Sequence, residues 1–214
     1  MGELQKGKGI LGGFSGMVGS VVGASWRGKD VMRSRPRKNN KPATVEQLAV
    51  RLKFRLVTKF LAPINLLLAD FFGQPEGYKS RRDLATSYHI NEAIAGSYPD
   101  FEIDFDKVII AMGTLLSIEQ PTVTPTAGAG LDISWADNSG QAGAAADDKL
   151  LVVVYNPDRN QYAIRQEAAR AALAYSIDLP TAWAAETVHC WATFVTAEGK
   201  EAATSVYLGP QLLI

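Results

Sequence analysis

Cysteine and histidine are nearly missing from this 214-residue chain, and their scarcity excludes several chemistries at the outset. The single cysteine, Cys190, can form no internal disulfide and build no cysteine-based zinc site, so it reads as a small buried apolar residue. With only His89 and His189, far apart in sequence, no histidine-rich metal site is expected. A long leucine-dense run is missing as well. Residues 9–26 carry no charge, but six of those 18 residues are glycine and three are serine, too little apolar density for a signal peptide or a spanning helix. The small-xxx-small spacings Gly12/Gly16 and Gly19/Gly23 carry no membrane meaning in such a context. A cytoplasmic protein without membrane contact is expected.

Recognisable catalytic patterns are absent too. The glycine-rich segment lacks the Gly-Lys-Ser/Thr ending and the following helix that a phosphate-cradling loop needs. His189 adjoins Cys190, but neighbours on a strand point to opposite faces and cannot act as a nucleophile and base pair. The carboxylates Glu102, Asp104 and Asp106, and the pair Asp147 and Asp148, read as solvent-facing groups, with no calcium-loop motif around them. No enzyme activity, cofactor, metal or small-molecule substrate is expected.

What is present is enough apolar content, 47%, to bury one moderate core or two small ones, and a charge division that the net charge of zero conceals. Residues 1–98 hold 16 Lys and Arg against seven Asp and Glu, whereas residues 99–214 hold six against 15. A chain so polarised meets itself electrostatically, within one molecule or between copies, or else its basic half has an anionic partner.

Along the chain, residues 16–35 read as a hairpin whose turn holds Gly28, with a flexible arm as the rival reading. Its glycines at 16, 19 and 23 would mark bulges, twists or close backbone approach. A basic connector follows, and Thr44 with Gln47 forms a capping-box pattern opening a helix over 45–61. Leu48, Leu52, Leu56 and Phe60 recur on one face of that helix, which is therefore expected to be core. Further helices are expected over 64–72 and 79–95, the last stopped by Gly96. The alternation of Phe101, Ile103 and Phe105 with acids predicts a strand reversing near Asp106 to pair with a second strand over 108–112. Residues 117–130, with Pro121 and Pro125, are expected to separate two modules. Beyond them, strands are predicted over 131–135, 149–155, 161–165, 173–179, 187–195 and 203–208, with a long surface loop over 138–148.

The expected fold is thus an α+β first half, a β-hairpin plus about three helices over 1–117, followed by an all-β immunoglobulin-like sandwich over 118–214. Trp135, Ile177-x-Leu179-Pro180 and Ser205-Val206-Tyr207-Leu208 resemble a fibronectin type III domain, although Val188 stands where that family has its corner tyrosine. The resemblance implies a spacer or binding module and carries no catalysis. Three N-terminal motifs, Gly12-Gly13-Phe14-Ser15-Gly16-Met17-Val18-Gly19, Trp26-Arg27-Gly28-Lys29-Asp30-Val31 and Arg33-Ser34-Arg35-Pro36, occur with Gly96-Ser97-Tyr98-Pro99-Asp100-Phe101 and Ser205-Val206-Tyr207-Leu208-Gly209. Together they resemble a family of uncharacterised proteins from Gram-negative bacteria, a likeness that implies architecture and no mechanism.

Between residues 25 and 55 stand ten Lys and Arg against only Asp30 and Glu46. Arg27, Lys29, Arg33, Arg35, Arg37 and Lys38 are the candidate partner- or phosphate-binding residues, since guanidiniums at alternate positions of an extended segment share one side. The first expectation is a non-enzymatic structural, assembly or binding protein that self-associates or binds a protein partner, as part of a multi-subunit or phage-derived particle. The alternative is a nucleic-acid-binding protein using segment 25–55, with Trp26 as a stacking surface.

Overall fold

The computed structural model describes residues 3–4, 14–26, 29–36 and 42–214. The chain divides into two compact units, Met1–Thr44 and Val45–Ile214, each with its own construction. The expected module boundary at 117/118 falls inside the second.

The first unit is a four-stranded antiparallel sheet in the order β1 (Glu3–Leu4), β2 (Phe14–Val18), β3 (Val21–Trp26) and β4 (Lys29–Ser34). Val21, Val22 and Val31 favour extended backbone, and the strands reverse where side chains are least restrictive. Gly19 turns β2 into β3 at φ +59°, a conformation that glycine adopts without steric cost. The expected hairpin is the β3–β4 pair, with Trp26 opposite Lys29; its turn at 27–28 lies outside the described residues. Among residues 15–26, 29–36 and 42–44 of this unit, only Gly23 is buried.

The second unit is mixed and β-rich. It opens with α1 (Val45–Leu61), a 3-10 turn at Ala62–Ile64, and α2 (Asn65–Phe71). Pro63 sits in the 3-10 turn, where its missing amide costs least. Helix α3 (Arg81–Glu92) starts with a capping box in which the Ser80 hydroxyl accepts from the Asp83 amide and the Ser80 amide donates to the Asp83 carboxylate. Strands β5 (Ile94–Ser97) and β6 (Asp100–Ile103) pair with each other.

Two expectations fail in this region. Gly96 does not stop a helix: it lies in β5 at φ +82°, where an added Cβ would strike the Asp100 carbonyl. Residues 108–112 form no strand; Phe105–Lys107 is a 3-10 turn, and only an isolated bridge joins Met112 to Phe72. The acidic alternation did mark a strand, but its partner precedes it, because residues 98–99 supply a tighter reversal than Asp106-Lys107.

Seven strands complete the unit: β7 (Glu119–Thr126), β8 (Gly130–Ala136), β9 (Lys149–Asn156), β10 (Gln161–Ala169), β11 (Ala174–Asp178), β12 (Thr187–Val195) and β13 (Val206–Leu212). They form two antiparallel sheets, β10-β9-β12-β13 and β11-β8-β7. The last strand runs later than the expected 203–208, and the stretch expected as a module linker is strand β7. Prolines are tolerated there because β7 is a sheet edge, with a register shift between Glu119 and Thr122.

Alternation along β9 explains the layering. Leu150, Val152 and Val154 join a core shared with Leu131, Ile133, Ile177, Cys190 and Phe194, between the two sheets. Leu151, Val153 and Tyr155 point the other way, into a core with Val57, Phe60, Leu68, Phe72 and Trp191, beneath the helices. Strand β9 is buried along nearly its whole length, as a strand covered on both faces must be, and its sequence is accordingly an unbroken apolar run. The face of α1 that enters this core is Val57, Phe60 and Leu61; of the expected stripe Phe60 is buried, Leu52 and Leu56 are half-buried, and only Leu48, toward the start of the helix, stands 38% exposed.

Candidate functional site

Of the six candidate cations, Lys29, Arg33 and Arg35 are described and exposed, while Arg27, Arg37 and Lys38 lie outside the described residues. Register decides which of them share a surface. Directly opposed residues of an antiparallel pair project from the same face. The pairs Trp26–Lys29, Ala24–Val31, Val22–Arg33 and Met17–Val22 therefore build one face. The other carries Val18 and Val21, Ser25 and Asp30, and Met32 opposite Gly23. Arg35 follows β4 and is fixed by its amide, which donates to the Ser20 carbonyl at 2.8 Å.

The first face is cationic and apolar together. Trp26 is 54% exposed beside Lys29, and Met17 and Val31 stand open at 40% each. The second face leaves Met32 74% and Val18 55% exposed. Sequence reasoning found the cations and offered Trp26 as a stacking surface beside them; it missed that Met17 and Val31 stand open on the same face, because an alternating strand normally hides one of its two faces.

Other polar constellations lie in the second unit. Cys190 is buried between the sheets, where burial pushes its thiol up to about 12. His189 points to the opposite side of β12, stacked on Phe105 at 3.9 Å, with Nδ1 2.6 Å from the Tyr207 hydroxyl. Burial holds the His189 imidazole below its ordinary pKa, with Asp106 opposing. Asp148, expected at a solvent-facing loop mouth, is instead buried. Its carboxylate takes Arg170 Nε and a terminal guanidinium nitrogen, each at 3.1 Å, and the Ala145 amide at 2.9 Å. Arg170 also donates to Asn138 Oδ1 at 2.7 Å and the Leu116 carbonyl at 3.0 Å, with its guanidinium 3.8 Å over the Phe194 ring. Every branch of that guanidinium is spent on protein groups, so this cluster anchors the 138–148 loop rather than waiting for a ligand.

A cleft of about 260 Å³ opens between Phe71, Gly73, Arg81, Met112, Gly113 and Lys200. Its charges are of both signs, with Asp70 and Glu201 lining it alongside Arg81 and Lys200. Among the described residues, no group of three or more His, Cys, Asp and Glu could hold a metal ion, and no helix is long and apolar enough to cross a membrane.

No curated protein matches the sequence of this chain. A family model does, over residues 13–209, which spans both the exposed sheet and the layered unit; the chain belongs to the family of unknown function DUF6266.

Proposed function

We propose that this chain is a non-enzymatic assembly or binding protein whose N-terminal sheet docks on a protein partner or on another copy of itself. The observation that carries the reading is the contrast within that sheet: over residues 15–26 and 29–36 it buries Gly23 alone while leaving Met17, Val18, Trp26, Val31 and Met32 open. A small sheet gains its stability from an apolar face laid against something. Each Å² so covered is worth about 25 cal/mol. Exposed apolar patches rimmed by charge are the mark of interaction surfaces.

The strand orders β11-β8-β7 and β10-β9-β12-β13 fit a fibronectin type III sandwich, which serves as a spacer or binding module. In this reading the sandwich is the rigid body, the sheet is the connector, and the protein is a cytoplasmic subunit of a larger particle, a phage-derived one among the candidates. Light scattering across concentration and salt tests it. Growth in mass with concentration is expected, weakening at high salt; a monomer under all conditions overturns docking on another copy and leaves docking on a protein partner.

A second reading rests on Trp26 standing opposite Lys29 with Arg33 on the same face, an aromatic interleaved with cations as in single-strand nucleic-acid platforms. It demands that replacing Arg33, Arg35 and Arg37 by alanine shallow the salt dependence of binding by about one unit each. Absence of binding to single-stranded oligonucleotides at low salt eliminates it.

A further inference from the structure

The outer face of the β7-β8-β11 sheet has the chemistry to receive the cationic face. Register places Thr122, Ser134 and Ala174 in one row across the three strands, and Thr124, Asp132 and Ser176 in the next. All six are exposed, and Asp178 follows on the same side of β11. The named positions are short and uncharged except for two aspartates. Arg165 marks the rim, bonding the Asp178 backbone carbonyl at 3.3 Å.

We propose that this face is the docking surface for the Met17–Trp26–Arg33 face of a second copy, an inference that rests on the assembly reading above. Charge complementarity selects the occupant. Residues 1–44 hold nine Lys and Arg against two Asp and Glu, and residues 45–214 hold 13 against 20. Shape agrees with charge, since long side chains on one sheet meet short ones on the other, which lets two layers close to about 10 Å. The two surfaces are different, so the contact is head to tail and repeats into a ring or an open string.

The test is sedimentation of the full chain at low and high salt, with circular dichroism confirming that each variant is folded. Arg33→Glu and the double change Asp132→Arg with Asp178→Arg should each weaken association by about tenfold or more, and the chain carrying all three should regain it. If either reversal perturbs folding, the milder Asp132→Asn with Asp178→Asn still reports, with an expected weakening of about threefold. A wild-type chain that remains monomeric removes the self-docking form of the assembly reading and this surface together. Association that the aspartate changes leave untouched, or that the triple variant fails to recover, overturns this surface alone and leaves the assembly reading standing.

Discussion

Strands β3 and β9 are both valine-rich and antiparallel, yet they live in opposite environments. In β9 the side chains of both parities are buried, one set under the helices and one between the sheets. In β3 only Gly23 is buried, and of the two valines before it Val21 is exposed and Val22 half-buried. The same residue types that stabilise one unit by burial leave the other with surface still to be covered. Strand propensity therefore made both sheets, and only layering made one of them self-sufficient.

That contrast predicts where the molecule is fragile. The largest effect belongs to Arg170→Ala, which strands Asp148 as a buried carboxylate and unties Asn138 and the Leu116 carbonyl. Breaking a buried pair from one side costs about 3–5 kcal/mol. In a unit of this size the midpoint of thermal unfolding should fall on the order of 10 °C. A loss of only a degree or two would mean that the second unit is not stabilised from within as its burial implies.

A smaller effect comes from pH and again belongs to the second unit, since the first contains no histidine. Burial holds His89 and His189 below their ordinary range; the Ala85 and Ile109 carbonyls oppose at His89, and Asp106 opposes at His189. The unfolded chain takes up protons near pH 6.5 that the folded chain refuses. Stability is therefore fully present above that value, declines as pH falls through it, and levels off below the depressed folded-state values. Urea midpoints at pH 8 and pH 5 should show the decline. His89→Phe should flatten part of it, because the ring lies buried between Phe72 and Tyr88 with no further proton to gain.

Much of this contrast was legible beforehand, and the misses have physical causes. Helix α1 occupies the expected span, and β12 the expected residues, because long apolar periodicity bounded by clear breaks is a local signal. Strand β7 was hidden by Pro121 and Pro125, whose meaning depends on whether a strand is at an edge, a tertiary property. Asp148 looked like one more loop acid because its partner Arg170 stands 22 residues away and nothing local announces the pairing. The cations of β4 were visible at once, yet their relation to Trp26 and Val22 required the register.

The smallest expected effect probes the first unit directly. Met32 is 74% exposed on β4, opposite Gly23, so Met32→Ser removes almost no buried area from the isolated chain. Its unfolding midpoint should move by no more than about 0.5 kcal/mol in stability, as for an ordinary surface change. In the assembled state the same substitution tests the second apolar face. If that face too is covered by a neighbour, association weakens although the monomer is unaffected; if only the cationic face docks, neither measurement moves. A large loss in the dilute monomer would instead mean that Met32 is already buried in solution, and the contrast between the two units would then be one of contacts made rather than contacts still to be made.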